Sequence, residues 1–341
     1  ENQAASGGAA YAAEYSSVSC QSLLAERNSA TLDGGGAALT TSAALVVSMN
    51  GSFISNTAGS DGGGLVIESA GAIHYANGAL LTAVHNRAGA RGGGIAASGS
   101  GSLLELHNVT LVGNEADKGG AVALSSNASC QMSEHAVAFG NGAVSSGGGL
   151  HLESGATAEV RDQASLRTNV AAYGGCASVT SGASLAIRDD VELTACNASL
   201  GGGGLYVDDA LFTALGAARI DQCVAPSGGG AYATGSSAVI ELSGASRVVN
   251  STAALDASDS TRSGGGVHAT SDSRVLIASS AAVLQNHAAY GAGLSLVDGG
   301  SARVLGTIES NRADYGAGVC ALSGGSLVLD GDAVVRENRA V

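Results

Sequence analysis

Acid–base cleavage of a polysaccharide needs carboxylates or arginines that converge on one groove. The residues whose spacing comes nearest are Arg188, Asp189 and Asp190 with Asp208 and Asp209, which lie about one repeat apart. No histidine joins them, and with only 3% aromatic residues the chain offers almost no ring platforms for sugars, so solvated corner charges are the preferred reading. The seven histidines, His74, His85, His107, His135, His151, His268 and His287, show neither HxH nor HExxH spacing, and no metal is expected. Asp61-Gly62-Gly63-Gly64 does not match the GGxGxDxU calcium repeat. Runs of glycine without a following Lys-Ser/Thr are not phosphate loops, and no cofactor is expected. Thr40, Thr41, Thr110 and Thr180 fall in different registers, which disfavours an ice-binding face. Catalysis is therefore not expected.

What the glycines do instead is mark a repeat. A Gly-Gly-small unit recurs, and the apolar residue after each gives twelve register marks: Ala10, Ala37, Leu65, Ile95, Val122, Leu150, Ala177, Leu205, Ala231, Val267, Leu294 and Val319. The steps run from 25 to 36 residues and cluster at 27 and 28, the signature of a solenoid. An Asn stands eight or nine residues before most marks: Asn28, Asn56, Asn86, Asn114, Asn141, Asn169, Asn197, Asn286 and Asn311, with Asn338 opening a further turn. Gln222 takes the place in one turn, and Asn250 lies 17 before its mark. Often a large apolar residue precedes the Asn by three, as in Phe53-Ile54-Ser55-Asn56 and Leu166-Arg167-Thr168-Asn169.

Between these marks the segments alternate with period two, the pattern of half-buried strands. Leu150-His151-Leu152 follows one set of glycines, Ser102 to Leu106 lies some ten residues after another, and the apolar-x-x-Asn segment makes a third strand. The expectation is an all-β fold, a right-handed single-stranded parallel β-helix of about 12 coils of about 28 residues with three short strands per coil. Stacked at ~4.8 Å, twelve coils give a rod of roughly 58 Å. Inward aliphatic ladders fill its core, and the Asn column chains amide to amide as a structural ladder. No change of character divides the 341 residues, so one domain is expected, read as a segment of a longer secreted or surface chain.

Net charge of −14 argues against nucleic acid and anionic membranes as partners. No apolar run of 18 or more residues is present, so no membrane-spanning helix is expected. Six cysteines, Cys20, Cys130, Cys176, Cys196, Cys223 and Cys320, include no CxxC pair. Cys196 and Cys223 lie one turn apart in nearly one column, and the coil spacing falls in the Cα range a disulfide accepts, which makes them the expected pair. Asn50, Asn108, Asn127, Asn197 and Asn250 stand in sequons; the last two occupy the inward column, so Asn50, Asn108 and Asn127 are the better acceptors for a glycan. The 36-residue step places extra residues in Ser251 to Ser263, a loop of the kind solenoids use for binding.

Gly119-Gly120-Ala121-Val122 and Phe53-Ile54-Ser55-Asn56 are full matches to the GGA[ILV] and FxxN motifs, and most turns carry GGG[LIV] and [LIV]xxN variants. In this the chain resembles the polymorphic outer-membrane proteins of chlamydiae over nearly its whole length. The resemblance implies a cell-surface or extracellular β-helix used for adhesion or assembly, with self-association, other surface proteins or glycans as partners. The ten-residue alternating strands of a β-barrel translocator are absent from this segment. Two rival functions remain on the same scaffold: a filament subunit and a polysaccharide lyase or hydrolase.

Overall fold

The computed structural model describes residues 1–75, 79–253 and 263–340, and among them it is all-β with every strand pairing parallel. The chain is a β-solenoid of about twelve turns, and it forms two compact units, Glu1–Asn169 and Val170–Val341. Residues 254–262, the bulk of the expected binding loop, lie outside the described residues.

One turn shows how sequence becomes coil. After Gly92-Gly93-Gly94 the strand Ile95–Ser98 points Ile95 and Ala97 inward, a bend follows, and Leu103–His107 points Leu104 and Leu106 inward. A second bend leads to Thr110–Val112, where Leu111 is buried; Asn114 follows, and Glu115–Lys118 closes the turn. That last short strand is a fourth element beyond the three expected. Inward residues alternate along each strand, so the aliphatic column of one turn stacks on that of the next, and the strand after the glycines is covered on its outer side as well, with Ala96 buried beside Ile95 and Ala97.

In the first unit the strands after the glycines run Ala10–Ala12, Ala37–Leu39, Leu65–Glu68, Ile95–Ser98, Val122–Ser125 and Leu150–Leu152, each paired in register with the next. In the second they are Ala177–Thr180, Leu205–Asp208, Ala231–Thr234, Val267–Ala269, Leu294–Leu296 and Val319–Ala321, again in register. The marks read from the sequence are the first residues of these strands.

The three glycines are there for three reasons. Gly92 has φ +65°, and a Cβ on it would sit 2.2 Å from the Ile95 carbonyl oxygen. A Cβ on Gly93 would lie 2.5 Å from the carbonyl oxygens of Glu115 and Gly120 in the next turn, so only hydrogen fits between the coils. Gly94 faces the Asn114 amide, where a Cβ would lie 3.3 Å from the amide and 2.7 Å from the Ala121 carbonyl oxygen; this column still admits small side chains, Ala121 and Cys176, in other turns.

The residue before the ladder position takes a positive φ in turn after turn, including Ser55 at 54°, His85 at 53°, Thr168 at 56° and Ala195 at 53°. Glycine serves at Gly113 and Gly140, but Thr168 is β-branched and strained in this region. We expect the exposed substitution Thr168→Asn to stabilise the first unit by about 1 kcal/mol, because Asn tolerates the left-handed region. An unchanged or lowered urea midpoint would show that the bend carries no such strain.

Candidate functional site

Inside the first unit the Asn column is a bonded ladder. The backbone N–H and side-chain amide of Asn28 both donate to the Asn56 side-chain oxygen, at 2.9 and 3.0 Å. The pattern repeats from Asn56 to Asn86, Asn86 to Asn114, Asn114 to Asn141 and Asn141 to Asn169. The other amide hydrogen reaches back to the backbone carbonyl at the apolar residue of the previous turn: Ala25, Phe53, Ala83, Leu111 and Ala138. Asn2, not singled out in the sequence, joins the column by donating to Asn28. In the second unit Asn286, Asn311 and Asn338 are bonded in the same way. These residues shape the coil and are saturated by it.

Asn197 is not in the ladder. It pairs with Val170, one position past the column, and is exposed; the bend residue is Ala195, so Cys196 points inward instead. Gln222 and Asn250 miss the column by one residue in the other direction: both take the positive-φ bend, and Cys223 and Ser251 after them occupy the column. Ser251 bridges by accepting from the Cys223 N–H at 3.3 Å and donating its own N–H to Asn286 at 2.9 Å. Asn250 is exposed as well, so the expected conflict between glycan and burial vanishes at both sequons. Asn50 and Asn127 are exposed, whereas Asn108 is partly buried, with its amide held by the Glu134 carboxylate.

The expected Cys196–Cys223 disulfide is also overturned: Cys196 bonds Cys176, with Cα atoms 5.4 Å apart, and Cys223 is a free buried thiol pushed up to about 12 by burial. Stacked residues in one column send their side chains the same way, so a suitable coil spacing does not bring sulfurs together. Cys176 takes the third-glycine slot, which faces the ladder position 20 residues on, as Gly94 faces Asn114.

Chemistry-bearing groups gather on the outer side of the strand that follows the glycines. In the first unit Arg91 holds Asp61 through Nη2 at 2.7 Å and Nε at 3.1 Å, and reaches Ser125 at 3.1 Å and Glu153 at 3.4 Å. Lys118 meets Glu153 at 2.8 Å, and the buried His151 lies 3.2 Å from both Glu153 and Ser146. The His151 hydrogen bond, working against burial and backed by Lys118, holds the Glu153 carboxyl well below the usual carboxylate range. Glu68 is raised, first by burial and then by Asp33 and Asp61. Acid–base hydrolysis requires a carboxyl free to hand over its proton beside an ionised one. Here Asp61 and Glu153 are tied to cations and to one another's partners. Of Arg188, Asp189, Asp190, Asp208 and Asp209, Asp208 accepts from the Tyr206 hydroxyl at 3.4 Å and is raised, first by burial and then by Asp209, while Asp209 accepts from the Ser237 N–H at 2.9 Å.

In the second unit the same outer side carries rings. Tyr173, Tyr206, Tyr232 and His268 follow one another with centroid separations of 4.8, 5.6 and 4.9 Å, and Tyr290 stacks on Tyr315 at 4.8 Å. Five of the eight tyrosines therefore lie in these two ring groups, a concentration that overall composition hides but that Tyr206, Tyr232 and His268, each directly after a register mark, could have shown. Much of their ring surface is taken up by ring-to-ring contact.

Burial pulls the His268 imidazole down to about 4, while its Nδ1 lies 3.3 Å from the Ser263 hydroxyl, itself 2.6 Å from that of Ser295. The unfolded chain takes up this proton near pH 6.5 and the folded one does not, so stability is lost as pH falls from there toward 4. Moving from pH 7 to pH 5 is expected to cost the second unit about 2 kcal/mol. Replacing His268 by Gln should flatten that slope in a pH series of urea unfolding; an equally steep slope in the variant would assign it to other groups.

Among the described residues there is no cluster of three or more His, Cys, Asp or Glu able to hold a metal, and no helix long and apolar enough to cross a membrane. No known family model and no curated protein matches the chain. Among solved structures it is similar to a TibC-catalysed hyper-glycosylated TibA55-350 fragment, at 15% identity with a TM-score of 0.32, over 96% of this chain and 100% of that one.

Proposed function

We propose that the chain is an extracellular structural or adhesive surface element, a β-helix of the kind the chlamydial polymorphic outer-membrane proteins carry, without catalytic activity. The observation that carries this reading is the state of one charge cluster: Asp61, Arg91, Lys118, His151 and Glu153, drawn from successive turns, neutralise one another. A scaffold that binds its carboxylates this way presents surface, not reactive groups. The Cys176–Cys196 disulfide supports an oxidising, extracellular setting. Surface proteins, glycans or further copies of the chain are the partners this function would engage.

Two measurements test it. Proteolysis of intact source cells should remove the chain while a cytoplasmic marker survives, and beads coated with the chain should adhere to surfaces that uncoated beads do not. Protection from the protease would remove the surface assignment. Turnover of any polysaccharide by the purified chain, abolished by Glu68→Gln, would replace the adhesive reading with the enzymatic one.

A further inference from the structure

The outer face of the second unit's next sheet holds a cleft of about 400 Å³ across four turns. Its walls and floor come from two outward columns. Val239, Arg274, Ser301 and Ser326 stand in register in one, and Glu241, Leu276, Arg303 and Val328 in the other. The serines are the short residues beside the two arginines. They leave a depression with an apolar side, Val239, Leu276 and Val328, and a hydroxyl- and guanidinium-bearing side.

Most of the charges on this sheet are paired, and the arginine at the cleft is not. On this sheet Arg219 holds Asp221 at 3.0 Å, Arg336 holds Glu309 at 3.1 Å, and Arg303 is tied to Asp330. Arg274, exposed at the cleft, has no carboxylate within ion-pair reach among the described residues. An uncommitted guanidinium beside apolar surface and hydroxyls is complementary at short range to a small ligand of matching pattern, although the net charge of −14 opposes any large polyanion. That ligand has an apolar carbon face, hydroxyl groups and one anionic group.

We infer that this cleft binds an acidic saccharide, with Arg274 holding the carboxylate or sulfate, Leu276 and Val328 meeting the ring's carbon face, and Ser301, Ser326 and Glu241 meeting its hydroxyls. The inference rests on the surface-adhesive reading and narrows it to one ligand chemistry. Guanidinium and carboxylate or sulfate share the bidentate geometry; a neutral sugar gains nothing from Arg274.

Calorimetric titration of the full chain with trigalacturonate, a sulfated heparin-derived hexasaccharide and neutral maltohexaose tests it. Saturable binding of at least one of the two anionic probes and none of maltohexaose is expected, and which of the two binds identifies carboxylate or sulfate as the recognised group. Arg274→Gln should weaken that binding about tenfold, and Ser301→Glu should abolish it by repulsion. Arg247→Gln removes the same charge from an exposed position on this sheet outside the cleft and should change affinity less than twofold. Overturning results are an absence of saturable binding, an equal loss in Arg247→Gln, or tighter binding of oligoglutamate, which would make the site one for an acidic peptide. A chain exposed on cells and adhesive to surfaces, yet failing these titrations, would refute the cleft alone; a chain that binds the saccharide but is shielded on intact cells would refute the surface reading alone.

Discussion

Asn114→Ala is expected to destabilise the first unit by about 3–4 kcal/mol. The side-chain oxygen of Asn114 accepts from both the N–H and the amide of Asn86, and its own amide donates to Ala83 and Asn141. Alanine removes all four bonds at a position of 0% exposure, where water cannot replace them. Part of the loss is the desolvation penalty of the Asn86 N–H, which stays behind buried without the partner it had. Asn114→Asp is the sharper control. A carboxylate still accepts from Asn86, but it cannot donate and it places a charge in the core, so it should be at least as damaging. Urea unfolding with hydrogen exchange at the Asn86 amide reads both variants. A loss below about 1 kcal/mol in Asn114→Ala would mean the column is filler and the aliphatic ladder alone holds the coil.

Much of this was legible because a stacked coil repeats its requirements. Gly92, Gly93 and Gly94 face constraints that recur in the other turns, so their spacing exposes the turn length, and Ile95 directly after them has to begin an inward strand. The Asn column was legible for the same reason. What failed was resolution of a single residue. Asn197 sits at an acceptable distance from Leu205, but the side chain that points inward is set by which residue takes the positive-φ bend, and Ala195 carries no sign of it. Outward columns were harder still. Asp61, Arg91 and Lys118 each precede a glycine run and could be aligned, whereas the reach of Arg91 to Glu153 depends on side-chain conformation that no spacing reveals. The cleft at Arg274 has the same origin: register places Ser301 and Ser326 in one column, and only the packed coil makes the short side chains a depression.

Reduction of the Cys176–Cys196 disulfide is expected to cost the second unit about 3 kcal/mol, the value for closing a loop of this order. The bridge stands where other turns have a glycine facing an Asn, as Gly266 faces Asn286 and Gly318 faces Asn338. It thus replaces a packing contact and a set of hydrogen bonds with a covalent link between the same two points of the coil. The double substitution Cys176→Gly with Cys196→Asn restores the pattern of the other turns. It is expected to make the unit indifferent to dithiothreitol and to recover about 1–2 kcal/mol over the reduced wild type. Recovery should stop short of the oxidised chain, because the next ladder positions are Cys223 and Ser251 and offer the introduced side chain no amide oxygen to bond. Single substitution of Cys176 by Gly separates the two effects, leaving the Cys196 thiol in a column built for amides. If the double variant proved no more stable than that single one, the ladder and the bridge would not be alternative solutions to one structural problem, and the cysteines would have to be explained by the oxidising environment alone.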